Sequence, residues 1–338
     1  MARRRRSWLH PFVGLLVTLR VKRCEKAHYR RTAMRILVTG VSGFAGSALV
    51  PRLQADGHEL RGFARDRARV RADLELPLVE GDAVTGAGLD EALDGIDVAY
   101  FLIHSMERGD AAFAAREAAA AERFADAARR AGLRRVVYLG GIVPTDRSPS
   151  RHLASRLAVE EALLAAVPEA IALRASIVVG ATSRSFRFLV RLVERVPVIP
   201  LPAWRTHRTR PIDARDVIEL LTAAATTSHG AGGLSLDAAG PDVVTYAQMI
   251  DAIREALLLP RPAVPLPVVA TRLAAPVAAA ITGEDPALIE PLMESLESDL
   301  LPRDDRAADL LGVHLHGFDR AVERALRDLE TVEELGAR

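Results

Sequence analysis

The sequence predicts an α/β protein, a doubly wound parallel sheet that carries a smaller, mostly helical C-terminal domain. Three observations lead there. From Met34 to Val179, short apolar runs alternate with helical patterns, an order that requires parallel strands joined by right-handed crossovers. The first apolar run ends in a glycine-rich turn that opens a helix, Thr39-Gly40-Val41-Ser42-Gly43-Phe44-Ala45-Gly46. Past Gly230 the alternation gives way to helical patterns and a proline cluster, Pro260, Pro262, Pro265 and Pro267.

Taken in order, Arg35 to Thr39 reads as a buried strand and Ser47 to Ala55 as the first helix. His58 to Phe63, Leu76 to Glu80 and Val98 to His104 are the second, third and fourth strands. Ala111 to Ala131, alanine-rich and carrying Phe113 and Phe124, is a long helix stopped by Gly132. Arg135 to Leu139 and Ile171 to Val179 are the fifth and sixth strands. Gly230 to Gly240 is a turn-rich strand region, and Thr245 to Leu258 an amphipathic helix. Val268 to Ile281 is apolar, but Arg272 and Pro276 interrupt it, so it reads as a buried helix lining a substrate pocket rather than a membrane span. Two last helices, Pro286 to Asp299 and Gly317 to Leu329, are expected to close a lid over the sheet's C-terminal edge. The domain plan is a basic leader over 1–33, a nucleotide-binding domain over 34–240 whose residues 181–204 join the outer part, and a small substrate domain over 241–332.

The 338 residues are 49% hydrophobic and 26% charged, which excludes a disordered chain, a collagen-like repeat and a coiled coil. The net charge of +1 hides an asymmetry. Residues 1–33 hold eight arginines and two lysines against one acid, Glu25, so the rest of the chain is acidic, which argues against nucleic-acid binding. In the leader, Arg3 to Arg6 precede an apolar run from Trp8 to Leu19, too short for a bilayer that takes about 20 residues. No small-residue cleavage site follows, so the leader is expected to be a disordered arm or an overlong start. Cys24 is the single cysteine, which leaves no intrachain disulfide or thiolate zinc site and points to a reducing compartment, the cytoplasm. The histidines are scattered without metal-ligand spacing. Lys22 and Lys26 both lie in the leader, so from Met34 onward the chain has no lysine.

The glycine turn carries the strongest chemical signal. Gly40 permits a tight turn, Gly43 lets the backbone approach a diphosphate, and Gly46 lets the helix pack close to the strand. Backbone N–H groups along Ser42, Gly43, Phe44, Ala45 and Gly46, with the helix dipole, then hold phosphate. At the end of the second strand, where an NAD enzyme places a carboxylate on the ribose, stand Ala64 and Arg65, followed by Arg67 and Arg69. A guanidinium there suits a 2′-phosphate, which favours NADP(H), with NAD(H) still possible. Asp82 and Ala83, after the third strand, are placed to meet adenine, or Asp82 shapes a turn. Leu102, Ile103, His104 and Ser105 end the fourth strand in the crevice where open α/β sheets bind ligands. Arg174 to Ser176 lie near the same edge and are candidates to line a substrate cavity, while Asp213 and Asp216 are read as helix-start residues. Tyr138 is read as core, and Tyr246 as opening a helix of the outer domain.

With these residues go Tyr100 to Met106, Val136 to Gly141, the helical stretch His152 to Leu163, Leu173 to Ser176 and Arg210 to Val217. Together they resemble the atypical and extended short-chain dehydrogenase/reductases of Rossmann type, and more narrowly the NmrA-like NAD(P)H-binding proteins and the complex I accessory subunit of the same fold. The resemblance implies a Tyr and a Lys four residues later beside the nicotinamide, and a Ser after the fifth strand. Here the matching positions are His152 and Arg156, with Gly140 and Gly141 where the serine belongs. Two functions follow. In one, the chain is an NADP(H)-dependent oxidoreductase or epimerase of a small carbonyl substrate, with His152 as proton donor and Arg156 holding ribose and positive charge. In the other, it is a non-catalytic NADP(H) sensor or scaffold that meets a regulatory partner. A membrane-associated quinone role, leaning on Val268 to Ile281 and the leader, is the weakest reading.

Overall fold

The computed structural model describes residues 33–104, 113–230, 232–265, 293, 296–333 and 335. The leader to residue 32 with Cys24, Ser105 and Met106, Val268 to Ile281 and the first part of Pro286 to Asp299 lie outside the described residues.

The strands are β1 (Arg35–Thr39), β2 (Glu59–Ala64), β3 (Leu78–Glu80), β4 (Val98–Phe101), β5 (Arg135–Gly141) and β6 (Ile171–Ala175). Short outer strands follow, β7 (Val178–Val179), β8 (Ile199–Leu201), β9 (Arg208–Thr209) and β10 (Ile212–Asp213), before β11 (Leu234–Ala238). Seven of these form one sheet in the order β11-β6-β5-β4-β1-β2-β3, with every pair parallel. Chain order reverses at β1, which pairs with β2 on one side and β4 on the other. The crevice beyond the strand ends at that reversal is where such sheets bind ligands.

Both faces of the sheet are covered, so its strands are apolar on both sides: Ile36, Leu37 and Val38 are all fully buried. One face packs against α1 (Phe44–Ala55) and, later in the chain, a helix over Ala214–Thr226, through Leu49, Leu53, Val217 and Leu221. The other packs against α2 (Leu89–Leu93), α3 (Phe113–Arg130) and α4 (Arg151–Ala166), through Leu89, Phe124, Val159 and Leu163. A third core, centred on Phe186, Trp204, Tyr246, Met249 and Phe318, joins α5 (Arg184–Arg195) to the helices at Tyr246–Ala256 and Phe318–Glu330. The helix at Tyr246 begins with a reciprocal capping box between Thr245 and Gln248. The last helix buries Phe318, Ala321, Val322, Ala325, Leu326 and Leu329, the spacing of one helical face.

The structure corrects several sequence expectations. The fourth strand stops at Phe101 rather than His104, because the Leu102 N–H turns to the Thr39 hydroxyl at 3.1 Å instead of continuing the ladder. The sixth strand breaks after Ala175: the Ser176 N–H donates to the Ala238 carbonyl, and the chain then leaves the sheet to pair as β7 with β10. Residues 296–299 form a turn, not a helix end, and the Asp299 carboxylate accepts from the Arg208 N–H and guanidinium. Asp213 does cap the helix at Ala214, accepting from the Arg215 N–H. Asp216, by contrast, reaches out of that helix to the backbone N–H of His316 at 2.7 Å and to its ring at 2.6 Å, tying down the loop before the last helix.

Arg174 is corrected too. Its side chain turns away from the substrate edge into the protein, where its Nε and Nη2 meet the Glu160 carboxylate at 2.6–3.1 Å. Glu160 also accepts from the Ser235 hydroxyl, and Arg303 closes the cluster on Asp237. This network clamps α4, β6 and β11 together.

Candidate functional site: a dinucleotide cleft ending at a histidine–arginine cluster

The glycine turn is built as its sequence demands. Gly40 sits at φ +65°, and a Cβ there would lie 2.5 Å from the Leu102 carbonyl oxygen. A Cβ on Gly46 would lie 2.4 Å from the Gly40 carbonyl oxygen. The Gly43 N–H closes the turn on that same carbonyl at 2.9 Å. Gly43 is the N-cap of α1, and no side chain caps the helix, so the N–H groups of its first turn are left for an anion. The Thr39 hydroxyl, donating to the Tyr100 carbonyl at 2.9 Å, locks β1 to β4 beneath the turn.

This turn forms one wall of a cleft of about 620 Å³. Gly40, Ser42, Gly43, Phe44, Ala45 and Gly46 line it, as do Arg65, Asp82, Ala83, Leu102, Ile103 and His104, and at the far end His152 and Arg156. The structure therefore gathers into one cavity the described residues that the sequence singled out for the cofactor and for catalysis. Side chains at Gly40 and Gly46 would strike backbone of the turn and of Leu102, so the turn requires glycine there, and the uncapped first-turn amides of α1 suit the charge of a diphosphate. Arg65 stands exposed directly after β2. Asp82 both lines the cleft and shapes its turn, accepting from the Val84 N–H at 2.8 Å. The sequence reading did not single out Ile142, Thr182 to Ser185 and Leu300, which also line the cleft. No local signal marks them: Ile142 follows β5 and bonds the Ala175 carbonyl, and the others come from segments outside the seven-stranded sheet.

At the cleft's inner end the chemistry is concentrated. His152 and Arg156 lie four residues apart on α4 and therefore on one face of it. Arg156 is 8% exposed. Its Nη1 lies 2.7 Å from Nδ1 and 2.8 Å from Nε2 of His104, and its Nε has no hydrogen-bond partner. The buried Tyr138 hydroxyl donates to the Arg156 carbonyl at 3.2 Å, which accounts for this tyrosine as core. Burial first, and then the Arg156 charge, push the His152 imidazole down to about 3. Burial, Arg156 and His152 likewise hold His104 well below the ordinary histidine range. Both rings are therefore neutral near pH 7. Gly140 and Gly141 occupy the end of β5, and a Cβ on Gly140 would sit 3.0 Å from the Tyr138 ring.

A histidine held below its unfolded value of 6.5 binds fewer protons folded than unfolded. Stability should therefore be full above about pH 6.5 and fall as the pH drops toward the folded value, by up to about 1.4 kcal/mol per pH unit for each such ring. Urea midpoints between pH 7.5 and 5 are expected to decline in the native chain and to decline less in His152→Gln. An identical slope in both would remove His152 from this account.

A parallel sheet reversing at a glycine-rich turn, with a helix N-terminus aimed into the crevice, defines a Rossmann-type dinucleotide-binding protein. The comparisons carry this further: residues 36–233 match the model of the NAD dependent epimerase/dehydratase family, and the chain belongs to that family. It is 31% identical to a ceramide reductase of Caulobacter vibrioides over 192 residues, 56% of this chain and 60% of that protein. It is 30% identical over 128 residues to subunit 9 of the NADH dehydrogenase alpha subcomplex of Arabidopsis thaliana mitochondria, covering 37% of this chain and 32% of that one. The matched segments thus span less than two thirds of these relatives. Among solved structures, MoeE5 in complex with UDP-glucose and NAD superposes with a TM-score of 0.66 at 19% identity, covering 88% of this chain and 99% of its own. The Bordetella bronchiseptica enzyme WbmG in complex with NAD and UDP gives a TM-score of 0.69 at 18% identity, covering 90% and 96%. These two share the fold. No described helix is long and apolar enough to cross a membrane, and no group of metal-ligating side chains is found among the described residues.

Proposed function

We propose that this protein is an NADP(H)-dependent oxidoreductase that acts on a small carbonyl compound at the inner end of the cleft. The observation that carries the reading is the continuity of one cavity from Arg65 after β2, past the glycine turn after β1, to His152 and Arg156 on the helix after β5. A bound nicotinamide dinucleotide supplies the hydride. The chain's own residues do the rest. The first-turn amides of α1 hold the diphosphate. Arg65 offers a guanidinium, and no carboxylate, to a 2′-phosphate. His152 presents a ring N–H to the substrate oxygen. Arg156 places a fixed positive charge where negative charge grows on that oxygen, and it relays no proton, since its pKa exceeds about 12. The outer segment 181–204, with 241–332, is assigned to the substrate side, and the single cysteine is the basis for assigning the protein to the cytoplasm.

Arg65→Asp is expected to weaken NADPH binding at least tenfold while changing NADH binding much less. Equal losses for both nucleotides in a fluorescence titration would refute the NADP(H) assignment. Gly140 and Gly141 at the serine position and the lack of lysine from Met34 onward favour a second reading, nucleotide binding without turnover. Single-turnover mixing of NADPH-loaded protein with a panel of ketones, aldehydes and quinones separates the two: oxidation of the bound NADPH supports the enzyme, and tight binding with no oxidation supports the sensor.

A further inference from the structure

We propose that the cleft is built for a substrate bearing a carboxylate beside its carbonyl, a 2-oxo acid, with the carboxylate pairing with Arg156 and the carbonyl oxygen taking its proton from His152. The inference rests on the reading of the cleft as a nicotinamide-nucleotide site and names the substrate class of that same site.

The starting point is a buried charge with no counter-ion among the described residues. Arg135 and Arg174, two other buried arginines, each meet a carboxylate, Glu169 at 2.5 Å and Glu160 at 2.6 Å. Arg156, equally buried, has no ion pair among the described residues, and its contacts are the two ring nitrogens of His104. Among the described residues, the buried acids Glu117 and Glu160 are engaged elsewhere. Glu117 accepts from the Ser155 hydroxyl at 2.7 Å, and Glu160 is held by Arg174 and Ser235. A desolvated guanidinium is unfavourable unless an anion completes it, and Arg156 lines a cavity through which an anion can arrive. The phosphates of a dinucleotide have their own site at the start of α1, at the glycine turn.

Spacing then selects the anion. Side chains at i and i+4 of a helix stand about 5–6 Å apart at their Cβ atoms, so His152 and Arg156 can address two adjacent polar groups of one small molecule. Guanidinium and carboxylate match in a planar, bidentate fork, and the neighbouring carbonyl oxygen then falls to His152.

Electrostatics make the pairing selective. The groups facing His152 are Arg156 and His104, with Tyr138 buried behind them, and burial first, then the Arg156 charge, oppose protonation of both rings. A carboxylate seated on Arg156 offsets the Arg156 part of that shift and brings its own negative charge beside the ring, so an anionic substrate favours a proton on His152 where a neutral ketone does not. In the reaction, the carbonyl carbon accepts hydride from NADPH and the C=O π pair moves onto oxygen. The His152 imidazolium releases its proton to that oxygen. The products are a 2-hydroxy acid and the oxidised nucleotide, and the neutral His152 takes its next proton from water as the next anionic substrate binds.

The test uses the full chain and begins with NADPH alone, by nucleotide fluorescence. If NADPH fails to bind, the underlying reading falls. With the NADPH complex in hand, a series of straight-chain 2-oxo acids is compared with the corresponding methyl esters, which keep the shape and lose the charge. At least one acid is expected to bind tenfold or more tighter than its ester. Calorimetry at pH 6 in two buffers of different ionisation heat should show proton uptake for the acid alone. Arg156→Gln should erase the preference and the uptake, and Arg156→Lys should keep part of the preference. If NADPH binds and no acid outperforms its ester, or if the preference survives unchanged in Arg156→Gln, the 2-oxo acid proposal is overturned while the nucleotide site stands.

Discussion

Arg174→Met should destabilise the protein by roughly 3–5 kcal/mol, the cost of leaving one buried charge of a pair uncompensated. The Glu160 side chain is only 3% exposed and the Arg174 side chain 10%, so neither can turn to water. With the guanidinium gone, the Glu160 carboxylate keeps the Ser235 hydroxyl at 2.5 Å but loses the donors that balanced its charge. Because the pair links α4 to β6, and Ser235 adds β11, the loss falls on the half of the sheet that supports His152 and Arg156. The double variant Arg174→Met with Glu160→Leu should recover much of the stability, since an apolar replacement of a whole buried pair is often close to neutral. Urea unfolding midpoints of the two variants check this. A single variant as stable as the native chain would mean that the pair is solvated in solution.

Gly46→Ala should weaken dinucleotide binding by at least about 100-fold, close to 2.8 kcal/mol. The added Cβ would meet the Gly40 carbonyl oxygen at 2.4 Å and its carbon at 2.9 Å, both backbone atoms. They cannot move without shifting the turn that also positions Leu102, because a Cβ on Gly40 itself would already strike the Leu102 carbonyl. The loop must therefore open away from α1, and the first-turn amides lose the geometry that makes them a phosphate site. Gly132→Ala is the control. It too has a positive φ, +64°, but nothing lies within 4 Å of its added Cβ. It should cost about 1 kcal/mol of stability from backbone strain and leave nucleotide affinity unchanged. If Gly46→Ala bound NADPH like the native chain, the glycine turn would not be the phosphate site.

Much of this was legible in the chain itself. The strands β1 to β6 announce themselves because a sheet covered on both faces needs continuous apolar runs, and a run such as Ile36-Leu37-Val38 carries that requirement locally. The turn was legible because the close approaches at Gly40 and Gly46 tolerate no side chain, which leaves the glycines as a written record. His152 and Arg156 were singled out because they match the Tyr and Lys positions of the short-chain dehydrogenase/reductases that the chain resembles, and the structure lines the same cleft with both. The ends of β4 and β6 were not legible, since they depend on partners far away in sequence. Leu102 is diverted by Thr39, 63 residues earlier, and the chain leaves β6 where Ser176 bonds Ala238. Arg174, polar and at a strand's C-terminal end, looked like a cavity residue until Glu160 claimed it.

The amino-acid order alone determined the layered α/β architecture and the place of the glycine-rich turn, because hydrophobic period and glycine sterics act over a few neighbouring residues. Only the folded chain decided which charges are paired. That Arg174 has its carboxylate and Arg156 has none among the described residues, and that His104 lies against Arg156 across 52 residues of sequence, follow from which side chains the packing shuts away from water together. Burial is what gives those charges their chemical consequence.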